Sequence, residues 1–571
     1  MLRDPSHGRL SQGGRAIDLP GPSWIAGYRA AWLPVDAVAG LTAAAVVIPQ
    51  AMAYAAVAGL PIEVGLYTSL AAMLVYPLLG GSRPLSVSTT SSLAMLTATA
   101  VVATAGPAAS AVQVASTLAL LVGVALVLAR ILRLGFLANF ISKPVLVGFQ
   151  AGVGIAILIG QLKSVLGVPV TAKTTIGVAL QLPGLLSQTH VPTLIVAAAG
   201  MAVLWGLPRL TTKLSAPLVW VAFSIAASAA LGLGAMGIKL VGAVPSGLPA
   251  LTLPDISLVK SLWPDALGVA LMSFTEGTAA ARTFRRSDDP PVIANRELVA
   301  IGAANLASSL VGGMPAGGGT SQTAITEAAG ARSQLAQWVA AGAVMLTLML
   351  LSRAIGLMPQ AALAALIVVA AVSMIKPETF YAIGRVRRDE LMWALATSVG
   401  VILVGTLDGI LIAVAISLLT LMYQSNHPPV YELAYSAAYD AFRRAGDHAA
   451  DETYPGLLMV RTEGRLTFAN AEHVRDGVAA LARATKPTVI VLDCSAIPDI
   501  EYTALLMLIE TEAAFSAQGG EVWLAGVNPG LLAILRRSPL AETLGHERML
   551  HNVREALRVW RERSPTTAAI A

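Results

Sequence analysis

Between about Leu33 and Tyr423 the chain is a series of apolar runs separated by short polar gaps. Each run is about 20 residues long, the length at which a helix crosses the hydrocarbon core of a bilayer. The runs begin near Leu33, Val64, Thr89, Val112, Val145, Leu194, Pro217, Leu262, Val292, Thr320, Leu335, Ala361, Leu391 and Ile410. They predict a multi-pass α-helical membrane protein of about fourteen helices. After Tyr423 the pattern changes: residues 424–451 are polar and broken at His427-Pro428-Pro429. From about Gly456, strand-like runs at 457–461, 466–468, 488–492 and 521–524 alternate with helical ones at 471–482, 503–515, 529–536 and 553–561. Such alternation predicts a sheet with helices against it. The expected division is an N-terminal segment 1–30, a membrane domain 31–424, a linker 425–456 and an α/β domain 457–565.

Composition supports the membrane reading. Of 571 residues, 56% are hydrophobic and only 12% charged, against about 25% charged in an ordinary soluble domain. The net charge of +5 does not imply a nucleic-acid partner. Its basic residues lie in the gaps between apolar runs, as the flanks of membrane helices do, and not on one amphipathic element. With the N-terminus placed in the cytoplasm and sides alternating, the inside gaps carry most of the basic residues, from Arg83 to Arg388. The outside gaps carry only Lys163, Lys173, Lys239, Lys260 and Arg353. That bias supports an even number of spans, with both termini on the cytoplasmic side of the cell (inner) membrane. Residues 1–22 lack the apolar core of a signal peptide, so the first span is expected to direct insertion. The single cysteine, Cys494, cannot form an internal disulfide, and no Cys/His cluster has metal-ligand spacing, so no metal or cofactor is expected. No Gly-Lys-Ser/Thr triplet, zincin motif or nucleophile elbow occurs, and the chain does not read as an enzyme.

The candidate chemistry lies inside the spans. Pro84-Leu-Ser-Val-Ser-Thr-Thr-Ser-Ser92 and Pro315-Ala-Gly-Gly-Gly-Thr-Ser-Gln-Thr323 each place a proline five residues before a threonine, Thr89 and Thr320. Each is crowded with Gly, Ser or Thr just before a short apolar stretch. A helix that starts inside a membrane leaves its first N–H groups without partners. An anion can satisfy them, aided by the partial positive charge of the helix start. Paired half-helices in the two halves of a bundle point to a transporter site, with Ser88, Thr89, Thr90, Gly319, Thr320, Ser321 and Gln322 as candidate substrate contacts. The alternative is close helix packing through small residues. Glu276 lies well inside an apolar span, where a carboxylate costs several kcal/mol. It can bind a cation, carry a proton, pair with a base or serve a structural hydrogen bond. Glu63 and Asp408 read as solvated span ends. In the first span Pro49 interrupts the helix, and Gln50 and Tyr54 share one face. These two either line a cavity or make polar contacts between helices.

These residues resemble a known family. Ile48-Pro-Gln-Ala-Met-Ala-Tyr54, with Gly40-Leu-Thr42, Gly59-Leu-Pro61 and Gly65-Leu-Tyr67, resembles the first-span signature of sulfate permease (SulP) anion transporters. Lys143-Pro-Val-Leu-Val-Gly-Phe149 resembles the family's fifth-span motif, and residues 305–334 its ninth-to-tenth-span region. Val489-Ile-Val-Leu-Asp-Cys-Ser495 and Tyr502-Thr-Ala-Leu505 resemble the STAS domain these proteins carry. The resemblance implies a 7+7 inverted repeat of the uracil-permease-like kind. Core helices 1–4 and 8–11 would move against gate helices 5–7 and 12–14. Substrate would lie between half-helices 3 and 10, and Glu276 together with Thr320 would take the coupling proton or sodium. It also implies a homodimer. Departures are Ser88-Thr89-Thr90 where many relatives have Gly-Pro-Thr, and Ser321-Gln322-Thr323 where animal and plant members often have Ser-Arg-Thr. Thr503 falls at the STAS phosphoacceptor position. The expected function is secondary active transport of a small inorganic anion, sulfate first. Bicarbonate, a dicarboxylate or an uncoupled anion channel are the alternatives.

Overall fold

The computed structural model describes residues 24–25, 28–106, 109–139, 142–172, 174–211 and 215–563. Most of the expected N-terminal segment, together with Lys173 and Lys213, lies outside the described residues, as does the side chain of Asp408. The chain divides into two compact units, Met1–Ser417 and Leu418–Ala571.

The first unit is helical. Its first half holds α1 (Leu33–Val57), α2 (Ile62–Leu79), strand β1 (Val87–Ser88), α3 (Ser91–Thr104), α4 (Ala111–Ile131), α5 (Lys143–Leu166), α6 (Thr175–Leu185), α7 (Val191–Leu210) and α8 (Ala216–Leu231). Its second half holds α9 (Val259–Thr283), α10 (Ala294–Leu310), strand β2 (Gly317–Gly318), α11 (Thr320–Ala328), α12 (Leu335–Leu350), α13 (Ser352–Gly356), α14 (Gln360–Met374), α15 (Pro377–Val386), α16 (Arg388–Val404) and α17 (Thr406–Asn426). Every expected span start falls at or within a few residues of a helix start. The short helices α6, α13 and α15 are additions that apolar length alone did not reveal. Counted as spans, α9 is the eighth, α11 the tenth and α17 the fourteenth.

Two sets of helices pack among themselves: α1–α4 with α9–α12, and α5 with α7, α8, α14 and α16. Helix α1 also touches α8 and α14 of the second set. Small residues make these contacts close, as is usual where lipid removes the hydrophobic drive between helices. A Cβ on Gly65 would stand 1.9 Å from the Ala51 carbonyl oxygen, and one on Gly148 would stand 2.1 Å from that of Ala394. Helix α11 has nine residues, which at 1.5 Å per residue reach about 14 Å. The residues that lead into it, 312–319, are all buried, so it begins in the interior of the unit.

The second unit is a six-stranded sheet in the order β4-β3-β5-β6-β7-β8. Its strands are β3 (Val430–Ser436), β4 (Ala441–Arg444), β5 (Leu457–Thr462), β6 (Val489–Asp493), β7 (Glu521–Ala525) and β8 (Met549–Leu550). The β5–β8 pairs are parallel, and β3 runs antiparallel to β4 and β5. Helices α18 (Ala471–Thr485), α19 (Tyr502–Ser516), α20 (Pro529–Leu535), α21 (Pro539–Leu544) and α22 (Val553–Arg563) cover it. Strand β6 is buried throughout, as its unbroken apolar run requires. Leu492 joins the core under α18 and α19, while Val491 faces that of α22 with Trp523 and Trp560.

Two expectations change here. Residues 425–456, expected to be a linker, contain the β3–β4 hairpin, which extends the sheet at its edge. Pro428-Pro429 and the charges of an edge strand masked it. Residues 466–468 form no strand: Leu466 makes one isolated bridge to Ile500, and a turn follows.

Cys494 follows β6 and is 2% exposed. Burial pushes its thiol up from the ordinary value, so little thiolate forms near neutral pH. We expect maleimide to leave it unmodified in the native protein and to label it only after denaturation, as intact mass would show.

Candidate functional site

The two Gly/Ser/Thr-rich segments meet. Strand β1 pairs antiparallel with β2, Val87 opposite Gly318 and Ser88 opposite Gly317. Two further bonds cross between the segments: Gly319 N–H donates to the Ser86 carbonyl (3.0 Å), and Ser86 N–H donates to Thr323 Oγ1 (3.1 Å). The starts of α3 and α11 are thereby held together in the interior. This junction is the arrangement that paired half-helices imply.

The two starts differ chemically. Thr90 caps α3, its Oγ1 accepting from Leu93 N–H (3.3 Å). Helix α11 starts after Gly319, which has no side chain to cap it, so its first-turn N–H groups have no intrahelical acceptor. At that start Thr320 and Ser321 are exposed, while Gly317, Gly318, Gly319 and Gln322 are buried. The nearby Thr89 hydroxyl is fully buried and, among the described residues, without a partner.

Gln322 joins three elements. Its Oε1 accepts from Ser88 Oγ (2.8 Å), and its Nε2 donates to Thr89 O and to Gln50 Oε1, each at 3.4 Å. Gln50 and Gln322 therefore bridge α1 and α11. Tyr54, one turn along α1, is buried. Thr90 Oγ1 also donates to Glu276 Oε2 (3.0 Å). Glu276 is 7% exposed. The structure thus brings Gln50, Ser88, Thr89, Thr90, Glu276 and Gln322 into one connected set, with Thr320 and Ser321 at its open side. Thr503 belongs to the second unit and is exposed in the first turn of α19. Glu63 is half-buried in the first turn of α2.

Several supports were not singled out from sequence. Asn305 on α10 binds both backbone groups of Ala316: Oδ1 accepts its N–H and Nδ2 donates to its carbonyl, each at 2.9 Å. Ser273 on α9 donates to the same carbonyl at 2.6 Å. Gln334 Nε2 donates to the carbonyls of Ser82, Arg83 and Leu85 just before β1. Arg286, counted as a loop charge, pairs with Glu327 at 3.0 Å and donates to the Glu327 and Ala331 carbonyls at the far end of α11. Asp36 accepts from Ser333 Oγ and the N–H groups of Arg332 and Ser333. Glu297 accepts from Tyr76 Oη and Gly81 N–H. Both carboxylates occupy the first turn of a helix, a common acidic position that gave no signal.

Replacing Asn305 by Leu orphans the buried Ala316 N–H, whereas Ser273 still serves the carbonyl. We expect a loss of about 1–3 kcal/mol, seen as a lower thermal midpoint in detergent. Among the described residues, no group of three or more His, Cys, Asp or Glu is arranged to hold a metal ion.

Comparison with known proteins identifies the architecture. Residues 33–397 match the sulfate permease family, and residues 448–556 match the STAS domain. The chain is 36% identical to a probable sulfate transporter of Mycobacterium tuberculosis (strain CDC 1551 / Oshkosh) over 550 residues, 95% of this chain and 98% of that one. It is 27% identical to a probable sulfate transporter of Arabidopsis thaliana, covering 94% and 86% of the two chains. Murine Solute Carrier 26 family member A9, an anion transporter solved in the inward-facing state, superposes with a TM-score of 0.85 at 21% identity, covering 98% and 99%. The transmembrane domain of a cyanobacterium bicarbonate transporter superposes with a TM-score of 0.58 at 23% identity, covering 69% and 98%. These likenesses show the fold: fourteen membrane helices in a 7+7 inverted repeat followed by an α/β STAS domain. The chain belongs to the sulfate permease family of membrane transporters.

Proposed function

We infer that the protein is a secondary active transporter of a small inorganic oxyanion, sulfate first, coupled to a proton or sodium through Glu276. The observation that carries this reading is the uncapped start of α11, with Thr320 and Ser321 exposed, near the Thr89 hydroxyl, which is buried and, among the described residues, unpartnered. Free N–H groups, hydroxyls and the helix dipole suit an oxyanion. Ser88, Thr89, Thr90, Gly319, Thr320, Ser321 and Gln322 would form the binding surface, with Gln50 and Tyr54 closing it from α1. The 36% identity to a probable sulfate transporter supports sulfate as the substrate.

Glu276 sets the coupling. Its negative charge opposes an anion at the neighbouring helix start and is offset when a proton or sodium binds. Thr90 transmits the change, because one hydroxyl both caps α3 and donates to Glu276. Thr320 would be the second contact for the coupling ion. Motion would expose the site to each side in turn, with α1–α4 and α9–α12 as the core and α5, α7, α8, α14, α16 and α17 as the gate. Both termini would be cytoplasmic in the cell membrane, and the protein would act as a homodimer. The STAS domain would regulate transport, with Thr503 open to phosphorylation.

Bicarbonate is the second reading, prompted by the bicarbonate-transporter neighbour. Purified protein in liposomes, assayed with labelled sulfate, bicarbonate and succinate under proton and sodium gradients, separates the two. Sulfate accumulation supports the first reading and bicarbonate the second. Movement of no anion under any gradient refutes both.

A further inference from the structure

The STAS domain contains a cavity that the transport reading does not use. Helices α18 and α19 touch one another over the sheet and line with it a half-open cavity of about 550 Å³. Val474, Val478 and Ala482 line one wall, Met507, Leu508 and Phe515 the other, and Ile490, Leu492 and Val522 form the floor. Each helix presents one face at the period expected of it. The volume is within the range of small-molecule sites, about 300–1,000 Å³, which are mostly apolar with a few polar groups.

The polar side chains on the walls are already satisfied. Thr511 Oγ1 donates to the Met507 carbonyl (2.7 Å), and Thr488 Oγ1 to that of Gly456 (3.0 Å). Glu512 is held by Arg548 at 3.1 Å and Ser516 at 2.8 Å. The interior therefore offers apolar contact and no free hydrogen-bonding group from these residues.

The mouth is different. Arg483 and Lys486 line it and are exposed. Among the described residues neither has an ion-pair partner, whereas Arg475 on the same helix pairs with Glu472 and Asp476. Lys486 caps α18 in the left-handed region, at φ 49°. Glycine is the relaxed choice at such a cap, and the lysine places a full charge there instead. Two full charges outweigh the half negative charge of a helix C-terminus.

We propose that the α18–α19 cavity binds a single-chain fatty acid, with its alkyl chain between the helices and its carboxylate at Arg483 and Lys486. The size argues for one chain. At ~30 Å³ per water-sized unit, close to the size of a methylene, the cavity holds roughly eighteen such units, too few for both chains of a bilayer phospholipid.

Photo-crosslinking of the full chain in nanodiscs tests this, with a diazirine-bearing palmitate as probe and peptide mapping by mass spectrometry. The expected labels fall in 474–490 and 504–522. Dodecanoate should compete for them, and dodecyltrimethylammonium should not. The double variant Arg483→Ala/Lys486→Ala should raise the half-competing dodecanoate concentration about tenfold. Met507→Trp should abolish the label by filling the cavity, and Val478→Met, a smaller intrusion, should reduce it if the tryptophan variant does not fold. Labels confined to 33–404 would overturn the proposal. So would equal competition by both amphiphiles, or crosslinks only to a co-purified protein, which would mean a docked peptide instead. None of these readouts depends on which anion is transported.

Discussion

Glu276→Gln should reduce gradient-driven anion accumulation about a hundredfold, near the upper end of ordinary coupling energies, while leaving substrate exchange in place. The substitution is nearly isosteric, and the amide oxygen can still accept the hydrogen bond that Thr90 donates at 3.0 Å. The cap on α3 and the β1–β2 junction therefore persist. What is lost is a charge that a proton or sodium can neutralise, so the anion site no longer senses the gradient. Counterflow in proteoliposomes checks that the variant is folded and binds substrate. Accumulation under an imposed gradient then isolates coupling. Full gradient-driven uptake by the variant would place the coupling group elsewhere.

Gly318→Ala should be among the most damaging small substitutions in the membrane unit, because it acts at the β1–β2 junction itself. An added Cβ would stand 2.5 Å from Gly277 Cα and 2.9 Å from Leu85 Cδ1. The first neighbour is the backbone of α9, so β2 itself must move. Overpacking costs about 1–3 kcal/mol where side chains can yield, and more is expected where backbone must shift. The displacement also moves the start of α11 and Glu276 apart, so transport should fall below detection along with the thermal midpoint. Gly342→Ala is the control, because nothing lies within 4 Å of its added Cβ and alanine favours a helix. It should retain both stability and uptake.

The parts that were legible in the sequence have local signatures. Apolar length marked the spans. The crowding of Gly, Ser and Thr after Pro84 and Pro315 marked both half-helix starts, and a carboxylate inside an apolar run marked Glu276. What escaped was pairing across distance. Nothing near Asn305 announces that it holds both backbone groups of Ala316, eleven residues on. Nothing near Arg286 tells that its guanidinium closes the far end of α11 instead of sitting in water. The difference between the half-helices was half visible. Thr90 and Gly319 are plain in the sequence, but only the structure gives Thr90 a second bond to Glu276. The β3–β4 hairpin was hidden by its edge position, where prolines and charges are tolerated and the alternation of a buried strand is weak.

The burial of Cys494 gives a direct way to probe the proposed anion site, because the wild-type chain has no other cysteine. Ser321→Cys places one reactive thiol at the exposed start of α11. The decisive measurement is its rate of modification by a charged thiosulfonate in proteoliposomes, with and without sulfate. Sulfate should slow modification, at concentrations that match those saturating uptake. A modification rate unchanged by sulfate, in a variant that still transports it, would contradict the placement of the anion between the two half-helices.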